Sequence, residues 1–241
     1  MAKPYAERFH GGLHKNGKTR FSVDFTTICP RKRAGNPCKY CYVESNRRAR
    51  WHWKPEVDHI PYDGWVKGVT DAFVAKRNAV GGIRMFSFGD YMPEIDGDIR
   101  AFLDDAAARG LKVKAITKRP EFVKLYESHP AMSVVHVGVD SLGLRNGGSN
   151  VTHRQARVLR DRHPKCLVRA VCLSVADLEK WGATPWADVL TLSHGANGFH
   201  PFRRREHVEA GERYPGRICC VTGKCDTCAV RCGIGTLAGK S

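Results

Sequence analysis

Several features of other protein classes are missing from this sequence of 241 residues. No stretch approaches the ~18 consecutive apolar residues of a transmembrane helix, so we expect no membrane span. The first residues, Met1 to Arg8, lack the apolar segment that a secretory signal contains, and we therefore expect a cytoplasmic protein. Hydrophobic residues nevertheless make up 42% of the chain, which is enough for a folded core and argues against wholesale disorder.

Acidic residues are scarce relative to basic ones. The chain has 24 Asp and Glu against 40 Lys and Arg, which gives a formal net charge of +16. Residues 1–60 carry a net charge of +8 and residues 201–241 a net charge of +4, so the excess gathers near both ends of the chain. A basic surplus suggests a phosphorylated or polyanionic partner, although it is equally compatible with a generic soluble basic protein.

The order of the hydrophobic segments predicts an α/β fold. Predicted strands cover residues 20–28, 83–88, 111–117, 132–139, 166–173 and 188–192, and predicted helices cover 42–53, 63–78, 96–109, 120–128, 151–163 and 177–181. Regular alternation of strands and helices predicts a parallel sheet, either open and doubly wound or an incomplete barrel. The first strand is not followed by Gly-x-Gly-x-x-Gly, which argues against a dinucleotide-binding start.

Three cysteines, Cys29, Cys38 and Cys41, lie in the loop after the first predicted strand, with the spacing C-x8-C-x2-C. Disulfides are rare in cytosolic proteins, so clustered cysteines indicate metal binding. Three thiolates are one short of a closed four-cysteine site, and an iron–sulfur cluster held by them would keep one iron open. The alternative is that Cys38 and Cys41 form half of a structural zinc site.

A second group of cysteines lies near the end of the sequence. Four of its thiolates fall within 13 residues, with the spacing C-x4-C-x2-C-x3-C: Cys220, Cys225, Cys228 and Cys232. This spacing predicts a second [4Fe–4S] cluster or a zinc site, and Cys219 is an alternative to Cys220 as ligand. Two isolated cysteines, Cys166 and Cys172, share a strand face with Val168 and are interpreted as core residues.

Polar residues at the carboxyl ends of the predicted strands are the other candidates, because parallel α/β proteins bind ligands there. They are Cys29, Gly89, Asp90, Lys118, Asp140, Ser141, Ser174 and His194. Arg169 joins them because a charge inside an apolar strand needs a carboxylate or an anionic ligand. His136 is interpreted as a core histidine, and Asp90 has an alternative role in a turn that caps the next helix.

The loop that ends in Cys38-Lys-Tyr40-Cys41, together with Gly89-Asp90 after the second strand, resembles the radical SAM superfamily. In particular, it resembles uncharacterised phage-type members that combine this cysteine arrangement with a later Gly-Asp motif. The sequence departs from the usual pattern in two places. Eight residues rather than three separate the first two cysteines, and Asp90-Tyr91 replaces Glu-Pro.

The resemblance implies a partial (β/α)6 TIM-type barrel over residues 19–200. An irregular basic lead-in, residues 1–18, would precede it, and a cysteine-rich metal-binding extension, residues 201–241, would follow. It also implies a [4Fe–4S] cluster on Cys29, Cys38 and Cys41 that binds S-adenosylmethionine (SAM). An electron donor would then drive reductive cleavage of SAM to a 5′-deoxyadenosyl radical. The residues that the resemblance implies for cofactor binding are Tyr40, Gly89, Asp90, Lys118, Asp140, Ser141 and Arg169.

The substrate is not identified by the sequence, although the basic surplus suggests a nucleotide, a nucleic acid or another phosphorylated molecule. Two alternatives stay open. One is a basic zinc-binding protein that holds nucleic acid, with the pairs Cys38/Cys41 and Cys225/Cys228 joined in one site. The other is a zinc-containing barrel enzyme that exchanges nucleobases.

Overall fold

A computed structural model describes residues 21–26, 29–35, 38–40, 59, 61–62, 83–86, 89–143, 148–193 and 202–218. The predicted helices 42–53 and 63–78 lie outside these residues, as do Cys41, His194 and all cysteines of the C-terminal group. Within the described ranges, no helix is both long and apolar enough to cross a membrane.

Six parallel strands form one curled sheet, which is compatible with a partial barrel. They are β1 (Phe21–Val23), β2 (Ile83–Met85), β3 (Val113–Thr117), β4 (Met132–Asp140), β5 (Cys166–Cys172) and β6 (Val189–Leu192). Each strand pairs with the next one in the sequence, so their order in the sheet is their order in the chain. The predicted α/β class and parallel sheet are therefore confirmed.

Six helices are described between and after the strands: α1 (Pro30–Arg33), α2 (Asp96–Ala108), α3 (Pro120–Tyr126), α4 (His153–Arg162), α5 (Val175–Gly182) and α6 (Arg204–Arg213). A short 3₁₀ helix, Pro93–Ile95, leads into α2. Pro120 occupies the first turn of α3, as predicted. Thr152 accepts a hydrogen bond from the backbone N–H of Gln155 and so caps α4.

The strand β2 is shorter than the predicted segment 83–88. It ends at Met85, because Phe86 adopts a left-handed backbone conformation with φ of 62°. Such a φ is an outlier for a bulky residue, and the Phe86 ring is held in place by edge-to-face packing on Phe122, 4.9 Å between centroids. The backbone therefore leaves the sheet at Phe86.

Helix α6 was not predicted from the sequence. Its ten residues include few apolar ones, and of these Val208 is exposed while Ala210 is buried. Apolar residues at helical spacing are the main sequence signal for a helix, and that signal is weak here. An exposed ion pair between Arg205 and Glu209, 2.6 Å apart and one turn from each other, adds a small stabilisation.

The two faces of the sheet differ sharply. One register row across the first five strands is apolar and almost fully buried: Val23, Met85, Ala115, Val135 and Cys166. These residues belong to the same core cluster as helix residues such as Phe102, Phe122 and Leu159. We call the opposite face of the sheet the inner face. It carries every charged residue of the six strands: Arg84, Lys114, Asp140 and Arg169.

The described part of the chain returns to the sheet at its end. Ile218 bridges to Leu190 of β6 in parallel. The guanidinium of Arg217 donates to four carbonyl oxygens at and after the end of α5, those of Trp181, Gly182, Thr184 and Ala187, at 2.5–3.1 Å. Cationic donors suit the carbonyl end of a helix. The C-terminal cysteines therefore follow directly from an anchored point at the β6 edge.

Cys166 and Cys172 are predicted to resist alkylation. Both are buried in β5, as expected from the sequence, and burial raises the pKa of each thiol to about 12. The thiolate is the reactive form, so at pH 8 neither should react with iodoacetamide until the protein is unfolded in guanidinium. Mass spectrometry of the native protein checks this, and labelling of either residue at the rate of a free thiol would contradict it.

Candidate functional site

Lys118 is the centre of a group of polar residues at the carboxyl edge of the sheet. It follows the last residue of β3, and its ammonium donates to the sulfur of Cys38 at 3.0 Å and to the phenol oxygen of Tyr40 at 2.7 Å. Its side chain passes over Gly138 of β4, where an added Cβ would lie 3.3 Å from Lys118 Cγ. Glycine at position 138 therefore leaves space for the Lys118 side chain, which extends over it to Cys38 and Tyr40.

Tyr40 links Lys118 to the end of the next strand. Its hydroxyl donates to Asp140 Oδ2 at 2.5 Å. Burial, and then the negative charge of Asp140, raise the pKa of Tyr40 far above its ordinary value, although Lys118 acts in the opposite direction. Tyr40 is thus a neutral phenol at physiological pH, and it joins a cation to a carboxylate across two strand ends.

The pKa of Lys118 is also raised. Burial alone would lower it, but the negative charges and hydrogen bonds that Tyr40 and Cys38 contribute more than offset burial. Lys118 is therefore positively charged at physiological pH. A lysine in this position supplies a fixed cation beside a sulfur that would bind metal as a thiolate.

Asp140 anchors the loop that follows β4. Its carboxylate accepts from the backbone N–H groups of Leu142 at 2.9 Å, Gly143 at 3.2 Å and Ser149 at 2.5 Å, in addition to Tyr40. The residue is 2% exposed. A buried carboxylate that accepts several backbone N–H groups restrains the backbone it contacts, so Asp140 positions Leu142, Gly143 and Ser149 as well as Tyr40.

Asp90 ties the end of β2 to the end of β3. It accepts from the hydroxyl of Thr117 and from the backbone N–H groups of Lys118 and Tyr91, the last two at 2.9 Å and 2.8 Å. Burial raises its pKa, while these hydrogen bonds oppose that effect. Asp90 therefore holds the backbone from which the Lys118 side chain extends. The alternative role of Asp90 in a helix-capping turn did not predict this contact.

Gly89 is required by the close approach of the chain segment that follows β1. Its N–H donates to Asp24 Oδ1 at 2.9 Å. An added Cβ would lie 2.7 Å from the Thr26 side chain and 2.8 Å from the Thr26 carbonyl oxygen. The close neighbour of this glycine in the structure is thus the chain segment after β1.

The other described candidates are Ser141, Ser174 and Arg169. Ser141 donates to Asp177 Oδ1 at 2.5 Å, and Ser174 accepts from the N–H of Asp177 and caps α5. Arg169 lies in the middle of β5, beside Gly138 in the register and on the inner face. The buried His136 lies on the same face, beside Ile116.

Two of the three loop cysteines are described. Cys29 is half-buried immediately before α1, Cys38 is 9% exposed, and neither forms a disulfide. Within the described ranges, which omit Cys41, no three or more His, Cys, Asp and Glu side chains are grouped as metal ligands. A cysteine sulfur beside a buried cation, as at Cys38, is nevertheless a suitable donor for a metal cluster.

No protein-family model matches the chain, and no curated protein matches it significantly.

Three further residues carry the same sequence signal as Arg169. Arg169 was singled out as a charge inside a strand, and Asp24, Arg84 and Lys114 also lie inside predicted strands. Ser149 has no comparable signal in the sequence. Its hydroxyl donates to the carbonyl oxygen of Gly138 at 2.6 Å, and nothing in its surrounding Gly-rich sequence predicts a buried contact.

Lys118→Met is predicted to lower the free energy of unfolding by about 2–3 kcal/mol, because it removes charge-assisted hydrogen bonds from buried partners. The exposed Lys124 of α3 provides the matched control: Lys124→Met should stay within about 0.5 kcal/mol of wild type. Since the pKa of Lys118 is raised, its contribution is complete below pH ~10 and lost only at higher pH. Guanidinium titrations at pH 6 and pH 9 should therefore give the same difference, and equal stability of the two variants would contradict the buried network.

Proposed function

We propose that the protein is a radical SAM-type iron–sulfur enzyme built on a partial (β/α)6 barrel with a cysteine-rich metal-binding extension. One observation carries the proposal: the Lys118 ammonium lies 3.0 Å from the Cys38 sulfur and so places the cysteine loop over the carboxyl edge of the parallel sheet. Parallel α/β proteins bind ligands at this edge. The reductive cleavage of SAM is checked by anaerobic assay for 5′-deoxyadenosine.

Cys29, Cys38 and Cys41 would hold a [4Fe–4S] cluster, and their number leaves one iron for a further ligand. With SAM bound, such a cluster supplies the one-electron chemistry that generates a 5′-deoxyadenosyl radical. The residues of the chain have other tasks. Lys118 keeps a positive charge beside Cys38. The neutral Tyr40 donates a hydrogen bond to Asp140 and so holds its segment at the end of β4.

The polar residues around Lys118 support a cofactor site at the same edge. Asp90 holds the backbone at the start of the Lys118 segment, and Asp140 holds residues 142, 143 and 149 after β4. Catalytic and cofactor sites depend on such preorganised surroundings. We assign SAM to the space bordered by these strand ends, with Ser141 and Arg169 as outer residues.

The C-terminal residues Cys220, Cys225, Cys228 and Cys232 would hold a separate [4Fe–4S] cluster or zinc. The chain enters this segment from Ile218, beside β6, whereas Cys29 and Cys38 follow β1. The strands β1 and β6 are the two edges of the six-stranded sheet. This placement favours two centres over one joint site.

Metal counting on two double variants tests the separation. Cys38→Ala/Cys41→Ala should lose the N-terminal cluster and keep the metal of the C-terminal centre, and Cys225→Ala/Cys228→Ala should do the converse. Both proteins are purified anaerobically, and iron, sulfide and zinc are measured per folded chain. Loss of all bound metal from either folded variant would mean that the two groups form one site.

The enzyme would need a reductant protein or small-molecule electron donor for its cluster. The net charge of +16 supports a nucleotide, a nucleic acid or another phosphorylated molecule as substrate. A cytoplasmic location follows from this proposal, because oxidising compartments favour disulfides over clustered free thiols.

A further inference from the structure

Charge is distributed unevenly over the helices that cover the sheet. Helix α2 contains four aspartates and one arginine, whereas α4 contains four arginines and one aspartate. Of the other described helices that are longer than α1, α3 and α6 have equal numbers of acidic and basic residues, and α5 has more acidic ones. Among these longer helices, the excess of positive charge is therefore confined to α4.

The four arginines of α4 differ in their partners. Arg160 is half-buried, and its Nε lies 2.9 Å from both carboxylate oxygens of Asp188, so it serves the fold. Arg154 and Arg162 are exposed and have no ion pair or hydrogen bond among the described residues. Arg157 forms only a 3.8 Å ion pair with the exposed aspartate of its own helix. Exposed ion pairs contribute little, so three arginines are available to an external anion.

Aromatic rings border these arginines on one side of the helix. His153 is exposed and precedes Arg157 by four residues, so the two side chains are neighbours on α4. The centroid of the His153 ring lies 4.8 Å from that of Trp181 and 6.0 Å from that of Trp186. Trp181 is buried, whereas Trp186 is half-buried. His153 and Trp186 therefore expose aromatic surface beside a row of cations.

We propose that His153, Arg154, Arg157 and Trp186 form a binding surface for single-stranded nucleic acid. We call these residues the α4 surface. Proteins that bind single strands combine cations that pair with the phosphates and aromatic rings on which bases stack. The two arginines, three residues apart on one side of α4, supply the cations. A duplex offers the same phosphates, but its bases are stacked on each other and are not free to stack on Trp186.

The α4 surface begins at the candidate functional site. His153 Nε2 donates to the backbone carbonyl oxygen of Asp140 at 2.9 Å, and the Asp140 carboxylate accepts from Tyr40. A strand bound along α4 would therefore place a neighbouring nucleotide at the end of β4, close to the cysteine loop. The assignment of this strand as the substrate rests on the proposed function, whereas the binding surface itself does not.

Fluorescence anisotropy of a labelled oligothymidylate of ~16 nucleotides tests the surface. At about 0.05 M salt, wild type should bind saturably, and Arg154→Gln/Arg157→Gln should weaken binding at least ~10-fold. Loss of two phosphate contacts should also make the dependence of log Kd on log salt shallower by about 1.4. The matched control is Arg109→Gln/Lys112→Gln, because both residues are exposed between α2 and β3 and the loss of charge is the same. Its affinity should stay within about twofold of wild type.

Trp186→Leu tests the stacking component. This variant keeps an apolar side chain against Trp181 and removes the ring, so it should bind the single strand at least ~5-fold more weakly. Trp186→Phe keeps a ring and should stay closer to wild type. Binding of a duplex of the same length should be weaker in wild type and should change less than about twofold in Trp186→Leu.

Three results would each overturn the proposal. They are absence of saturable binding to wild type, equal affinities of the two double variants, and wild-type affinity of Trp186→Leu for the single strand. If Trp186→Leu does not fold, as checked by circular dichroism, the comparison of the two double variants still decides. The titration needs neither SAM nor reductant. Failure of SAM cleavage by wild type with normal oligonucleotide binding would therefore overturn the proposed function alone.

Discussion

Cys38→Ala should reduce the formation of 5′-deoxyadenosine from SAM to the level of a control without protein. The variant removes one of three thiolates from a cluster site that has no spare ligand in the same loop. It also removes the sulfur that accepts the Lys118 hydrogen bond. The measurement is anaerobic assay with a strong reductant and chromatographic detection of 5′-deoxyadenosine.

The fold should survive this substitution. Cys38 lies at the edge of the core and is 9% exposed, so loss of its sulfur creates no large internal cavity. The matched control is Cys166→Ala, which removes the same atom from β5 on the helix side of the sheet. That variant should lose some stability and keep SAM cleavage, whereas wild-type product formation by Cys38→Ala would contradict the assignment of the cysteine loop.

Asp140→Asn should lower the free energy of unfolding by about 2–4 kcal/mol, through weaker hydrogen bonds to a neutral side chain and at least one mismatched donor. All four groups that contact the Asp140 carboxylate are donors: the phenol of Tyr40 and the N–H groups of Leu142, Gly143 and Ser149. An asparagine side chain offers one oxygen and one NH₂ group. The NH₂ group must then face a buried donor.

Thermal and guanidinium unfolding measure this effect, with Asp161→Asn as the control. Asp161 is exposed on α4 and forms only long ion pairs with Arg157 and Arg160, at 3.8 Å and 3.7 Å, so its substitution should change stability by at most about 0.5 kcal/mol. If Asp140→Asn were as stable as wild type but no longer bound SAM, Asp140 would be a cofactor ligand and its loop contacts would contribute little to stability.

The sequence was sufficient to predict the parallel α/β class and most of the elements that the structure describes. Alternating apolar segments predict β3 to β6 closely, and Pro120 and Gly110 mark helix ends as expected. β1 ends at Val23 and is shorter than the predicted segment 20–28, and α1 was not predicted. Two further differences have local reasons. The left-handed backbone of Phe86 ends β2 early, and α6 lacks the apolar spacing on which helix prediction depends.

The candidate site was predictable only in outline. The rule that ligands bind at strand ends brought Lys118, Asp90 and Asp140 into consideration, and the structure places all three at one edge. Their partners depend on the sheet register and on loop conformation. The contact of Lys118 with Cys38, 80 residues apart in the sequence, has no signature in local composition.

The most direct test of the proposed enzyme is the visible spectrum of anaerobically purified protein, measured together with its iron, sulfide and zinc content. An iron–sulfur enzyme should show broad absorption near ~400 nm and at least about four irons and four sulfides per chain, since the N-terminal site alone holds one [4Fe–4S] cluster. Addition of SAM should then change the spectrum of the reduced protein. A colourless protein that binds zinc and no iron would contradict the account.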